Sequence, residues 1–389
     1  MVLSASRSTP GGRARRVLAR NTAAAREPLA RSLEPAPPGA TGAAHGALHS
    51  VVALRESPLV SVVVVASHGR PEPLRRCLHA LLVQSFDAEA FEIVVVDDGH
   101  DEETRTLVEA LGAHTRAPVL RYLRASAGRG PAVARNAGWR AAWAPLIAFT
   151  DDDSLPAPDW LRCGTAAFEH GDAPERLMAV SGRVVVPPRD GAPHARPTDH
   201  ELMTRGLEHA EFVCANAFVR KSALQAVGGF DERFQRAWRE EPDLQFRLLE
   251  AGGTIGRSEE AVVVYAVPPE PWGASLRRQH NAYFDALLYK KHPRAYRERI
   301  ERMPPWDHYA IVALTAAAPL LHATDQAGAA KLALFLAAGL VGRFALGRLR
   351  ATSHAPAHVF EMLATSVLIP FLSVYWRLVG ALRFRSFFL

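Results

Sequence analysis

The stretch PLIAFTDDD, residues 145–153, joins a short apolar run to three consecutive aspartates, Asp151, Asp152 and Asp153. The run is predicted to be a short buried strand. Its carboxylates are then carried to the C-terminal tip, where an open α/β sheet places its ligands. Like charges at one tip repel unless something positive lies between them. A divalent metal with oxygen ligands, carrying a phosphorylated substrate, is a natural neutraliser. The other reading is a solvated acidic turn that caps a helix starting near Pro158.

Upstream, FEIVVV (91–96) is a second buried-strand run and ends in Asp97, Asp98 and Gly99. Before it, LVSVVVV (59–65) leads into the polar turn ASHGRP (66–71). Leu74, Cys77, Leu78, Leu81 and Leu82 follow at helical spacing. Alternation of strand and helix predicts βαβ units and a mostly parallel sheet. Its strand tips would gather polar and acidic turns along one edge, as in a nucleotide-type site.

Five segments carry a family resemblance: SVVVVASHGRPEPLRRCLHALLVQSF (61–86), VVVDDGHDEET (94–104), ARNAGWRAAWAPLIAFTDDDSLPAPDWL (134–161), CANAFVRKSALQAVGGFDERF (214–234) and EEPDLQFRLLEAGG (240–253). In order and spacing they resemble the family-2 glycosyltransferases of GT-A fold, over roughly residues 58–295. The resemblance implies an α/β, Rossmann-like, mostly parallel sheet. It also implies an enzyme that moves a sugar from a nucleotide-sugar donor to a hydroxyl acceptor with inversion, using Mn2+ or Mg2+.

Composition agrees with such an enzyme. The 389 residues are 48% hydrophobic, enough for one large domain plus extras. Cys77, Cys163 and Cys214 are odd in number and widely spaced, which argues against a disulfide framework. The net charge of +6 suits an anionic nucleotide, an anionic membrane surface or nucleic acid. No helix-turn-helix, zinc-finger or RNP-type motif is present in the sequence, so nucleic acid is set aside.

Three parts are expected. Residues 1–57 form a basic arm rich in Ala, Arg and Pro, without the apolar run of a secretory signal and largely disordered. Residues 58–300 form the GT-A domain. Residues 301–389 form a hydrophobic helical tail, with apolar stretches at 309–321, 331–346 and 359–375 bordered by arginines. None is an uninterrupted apolar span of about 20 residues. They are core helices of a subdomain, a short hairpin, or helices in the membrane interface. The favoured expectation is association with the cytoplasmic face of the cell membrane, which fits a glycan or lipid-linked acceptor.

The resemblance also assigns roles. Asp151 or Asp152 would touch the donor ribose or sugar, and Asp152 or Asp153 the metal. Asp98, or its neighbour Asp97, would contact the base of the donor. Ser67 would meet the nucleotide through its hydroxyl or backbone, or be a plain turn residue. Arg135 would reach the diphosphate or form a structural salt bridge. Glu241 aligns with the general base, and Glu240 is the alternative. Both also suit a helix start, with Pro242 in the first turn and Gly252 and Gly253 after the end.

Two departures from the family stand out. Family members often carry a metal-binding histidine after the strand that corresponds to 262–265, where Ala266 and Val267 stand here. His280 and His292 are the available substitutes. The QxxRW pattern of processive synthases is absent from the sequence, so transfer of a single sugar is expected. The rival readings are a catalytically inactive membrane-bound scaffold and a nucleotidyltransferase. The second should show a glycine-rich phosphate loop after the first strand, whereas ASHGRPEP holds one glycine.

Overall fold

The computed structural model describes residues 57–115, 118–125, 130–169, 175–188, 196–268 and 270–388. The arm expected over residues 1–57 therefore lies, but for its last residue, outside the described residues. The remainder, Arg55–Leu389, is one compact unit.

Its centre is one eight-stranded sheet of order β3-β2-β1-β4-β7-β6-β8-β5. The strands are β1 (Val60–Ala66), β2 (Phe91–Asp97), β3 (Val119–Arg124), β4 (Leu146–Asp151), β5 (Ser154–Pro156), β6 (Leu177–Val185), β7 (Ala217–Arg220) and β8 (Thr254–Tyr265). β1 is parallel to both β2 and β4, and β2 is parallel to β3. Every residue of β1 and β2 is buried, as expected for parallel strands covered on both faces. The second half is mixed: β7 runs antiparallel to β4 and β6, and β5 to β8, while β6 and β8 are parallel. This is the α/β class that the strand–helix alternation predicts, but the parallel order is confined mainly to the first half.

The helices α1 (Pro71–Leu82), α2 (Glu102–His114) and α4 (Trp160–Ala166) cover one face. Val60, Val62 and Val64 pack there against Leu74, Leu78, Leu107 and Trp160. Val63 and Val65 point the other way. They pack with α3 (Pro131–Ala141), α6 (Lys221–Val227) and α7 (Glu240–Glu250) through Ala134, Trp139, Leu224 and Leu244. Each such valine contributes about 1.5–3 kcal/mol of burial.

The chain moves outward from β1 to β3 and then returns to β4 on the other side of β1. The reversal sets the C-terminal ends of β1 and β4 side by side, the usual ligand position in open α/β sheets. The turn after β1 and the aspartate triplet at the end of β4 meet there.

The short helices α5 (Asp199–Thr204) and α8 (Ala274–Arg278) precede α9 (Ala282–Lys291) and α10 (Pro293–Arg299). The tail then forms α11 (Trp306–Ala323), α12 (Ala327–Ala351) and α13 (Pro356–Phe384). α12 and α13 are long and apolar enough to cross a membrane by length and composition alone. The end of α13 closes a third core in which Phe388 packs with Phe284, Leu287 and Tyr296.

Candidate active site

The triplet divides its charge between two arginines. β4 ends at Asp151, and Ser154 opens the short β5, so the carboxylates form a link between strands rather than a helix cap. Asp152 accepts a hydrogen bond from the Ser67 amide at 2.7 Å and lies 3.2 Å from Arg70. Asp153 accepts from Arg70 at 2.6 Å and from the Tyr265 hydroxyl at 3.0 Å, both on Oδ2. Asp151 turns to the other side, 3.0 Å from Arg135. Burial pushes the Asp152 carboxyl up to about 7, against the pull of Arg70 and the Ser67 amide. Burial and the neighbouring Asp151 raise Asp153 as well.

Arg135 is the hub of the site. It sits on α3, 4% exposed, in the helix that Gly130 caps. Gly130 has φ +114°, and a Cβ would meet the Gln235 carbonyl oxygen at 2.6 Å, so only glycine fits. The Gly130 amide donates to both oxygens of Asp98, at 2.8 and 3.0 Å, joining the end of β2 to the start of α3. From α3, Arg135 reaches Glu240 at 2.8 Å, Asp151 at 3.0 Å and Glu241 at 3.8 Å. One guanidinium thus unites the strand-tip acids with the glutamate pair.

Glu240 and Glu241 open α7. Glu240 is buried, bound to Arg135 through Oε1, with Oε2 lacking a hydrogen-bond partner. Glu241 keeps 21% of its side chain exposed and accepts from the Cys214 amide at 2.7 Å. Burial, then repulsion from Glu240, pushes the Glu241 carboxyl up to about 8. A carboxyl raised in this way holds a proton more readily than an ordinary glutamate, and its anion is the stronger base.

The remaining expected residues separate. Ser67 meets the cluster through its backbone, not its hydroxyl. Asp97 is fully buried and holds the loop after β2, accepting from the Gly99 amide, the Asp101 amide and the Tyr122 hydroxyl. Asp98 is part-buried beside it. Neither histidine joins the aspartates. His280 stacks on Trp376 with ring centroids 4.0 Å apart, and His292 bonds to Glu250 and Asp243. Tyr265, the last residue of β8, stands beside Asp153 instead.

Sequence reasoning missed Arg70 and Tyr265. The signal for Arg70 was its place in the polar turn after β1; the signal for Tyr265 was its place at a strand end. Among the described residues no three His, Cys, Asp or Glu side chains converge as a metal cage. Asp152 and Asp153 nevertheless fit a small hard cation, because Mg2+-type sites commonly use one or two carboxylates and complete their shell with water and substrate phosphates.

The Glycosyl transferase family 2 model matches residues 62–228, and the Glycosyl transferase family group 2 model matches residues 146–380. A validoxylamine A glucosyltransferase from Streptomyces hygroscopicus subsp. jinggangensis is 28% identical over 274 residues, 61% of either chain. A pre-mycofactocin glycosyltransferase from Mycobacterium tuberculosis is 30% identical over 213 residues, 52% of this chain and 42% of its own. The alignments thus cover less than two thirds of these relatives' lengths. A solved mannosyltransferase from Pyrobaculum calidifontis, in complex with GDP-Man and Mn2+, is 20% identical with a TM-score of 0.48, covering 85% of this chain and 87% of its own. The family models span both the strand-tip acids and the glutamate pair, and on them the chain belongs to the family-2 glycosyltransferases.

Proposed function

We propose that this glycosyltransferase moves one sugar from a nucleotide-diphosphate donor to a hydroxyl of a glycan or lipid-linked acceptor, with inversion, at the cytoplasmic face of a membrane. The single observation that carries the reading is the bridge from Asp151 through Arg135 to the Glu240–Glu241 pair, which sets the candidate base Glu241 beside the donor-side acids.

In this reading Asp98 meets the base of the donor, with Asp97 fixing the loop that presents it. Asp151 and Asp152 face the donor ribose or sugar. Asp152 and Asp153 hold Mn2+ or Mg2+, which when bound supplies Lewis-acid neutralisation of charge on the leaving diphosphate. Arg70, already paired with these acids, adds a second cation at the same place.

Glu241 takes the proton from the acceptor hydroxyl. The acceptor oxygen attacks the anomeric carbon as its bond to the diphosphate oxygen breaks, and the nucleoside diphosphate departs. Glu240 does not touch substrate; it anchors Arg135. One displacement with one base inverts the anomeric centre.

Membrane association rests on α12 and α13 and their exposed apolar side chains, among them Phe335, Phe360 and Leu382.

The test uses the full-length protein in detergent with Mn2+ and a panel of UDP-, GDP- and TDP-sugars. Thermal shift selects the donor, and release of the nucleoside diphosphate measures turnover. The expected result is stabilisation by one donor class, with metal-dependent release. No stabilisation and no release with any donor would overturn the reading.

A further inference from the structure

We infer that α13 lies in the plane of an anionic phospholipid bilayer and does not cross it. The inference rests on the membrane association proposed above and concerns its geometry.

Two opposite faces run the length of α13. Met362, Thr365, Ile369, Ser373, Arg377 and Gly380 are buried on one. Phe360, Leu363, Val367, Phe371, Leu378 and Leu382 are exposed on the other, at the three- and four-residue spacing of a helix stripe. Exposed apolar side chains in a continuous stripe mark an interaction surface.

Polar contacts fix the buried face at both ends. The Gly273 amide donates to Glu361 at 2.8 Å, Arg377 bonds to Glu301 at 2.6 Å, and Lys290 donates to the Phe384 carbonyl at 2.7 Å. Glu361 and Phe384 are about 35 Å apart along the helix axis at 1.5 Å per residue. That length exceeds the roughly 30 Å hydrocarbon core. Arg377 lies about 24 Å along that axis from Glu361, so a crossing α13 would carry the Arg377–Glu301 pair into hydrocarbon, where ionised groups are costly, and would set Gly273 and Lys290 of one compact unit on opposite sides of the bilayer.

α12 agrees. The apolar run between Lys331 and Arg343 covers about 17 Å, little more than half the core. Arg343 is paired with Asp307 of α11, and Arg348 reaches Asp199 at 3.0 Å.

The charge favours anionic headgroups. Lys331, Arg350, Arg383 and Arg385 are exposed around these helices, the last two directly after the stripe. A helix with one apolar face and flanking arginines sits about 5–10 Å into the headgroup and acyl boundary.

The experiment places a single cysteine at Leu363 or Phe371 in the full chain, with Cys163 changed to serine; Cys77 and Cys214 are buried. Each is labelled with an environment-sensitive fluorophore and mixed with vesicles of equimolar phosphatidylcholine and phosphatidylglycerol. Lipids carrying quenchers at shallow or deep acyl positions report depth. Both sites should show the same shallow depth. The double variant Val367→Asp/Leu378→Asp should bind vesicles about tenfold or more weakly. A deep position for one site and a shallow one for the other would overturn the in-plane geometry but leave membrane association standing. No quenching at either site would remove both.

Discussion

Nη1 of Arg135 lies 2.8 Å from Oε1 of Glu240, and both side chains are almost wholly withdrawn from water. The two are 105 residues apart in sequence. Through the other nitrogen Arg135 also holds Asp151. A buried cation here is worth most through what its loss would leave behind: three carboxylates within one pocket and no counter-charge.

Arg135→Met should therefore lower stability by about 3–5 kcal/mol, read from denaturant unfolding. Arg135→Lys keeps the charge but not the forked geometry, so it should recover part of the stability and little of the transfer rate. A methionine variant within about 1 kcal/mol of the parent would show the bridge to be energetically idle.

Glu241→Gln should slow transfer by about two to four orders of magnitude with donor affinity retained, as for loss of a positioned base. Glu240→Gln should act differently. It weakens the anchor of Arg135, so stability falls together with rate. Steady-state kinetics beside thermal unfolding separate the two. If the Glu240 variant alone is inactive, the base is Glu240; if both stay active, the pair is only a helix start.

The pH dependence of stability has a definite sign. Glu241 rises from an ordinary 4.5 to about 8, and Asp152 from 3.8 to about 7. A carboxyl whose folded value is raised holds its proton more tightly when folded. Its contribution is full below the unfolded value and is lost as pH climbs through the folded one. The melting temperature measured without metal or donor should fall between about pH 5 and pH 8 from these two groups. Glu241→Gln and Asp152→Asn should each flatten that fall. An unchanged slope in both would assign the pH dependence to other groups.

Asp153→Asn should reduce transfer by about two orders of magnitude or more while the melting temperature holds, since the amide keeps the side chain's shape and removes one buried like charge. Excess chelator should silence the parent enzyme. Tyr265→Phe should be milder, because it removes one hydrogen bond to Asp153 and no charge. Full activity of Asp153→Asn in chelator would eliminate the metal role of the triplet.

The sequence by itself determined the strands that carry the site. Runs such as 59–65, 91–96 and 145–150 are mostly apolar without alternation, and their short length and the turn residues that follow them mark strands buried on both faces. Their ends place Asp97, Asp98 and the aspartate triplet at strand tips by periodicity alone. The glutamate pair was legible too, as acids at a helix start. Tertiary structure decided how these charges are matched. Arg70 takes Asp152 and Asp153, Arg135 takes Asp151 and Glu240, and Tyr265 stands where a histidine was sought. No local pattern encodes such pairs. They depend on which loops the sheet order brings together, and the reversal between β1 and β4 brings the turn after the first strand against the acids after the fourth. The tail shows the same division. Composition marked it as apolar and helical, while only packing revealed that α13 is held near its ends by Gly273 and Lys290 and between them by Glu301. Hydrophobicity is a property of each residue; the surface that a helix leaves uncovered is a property of its neighbours.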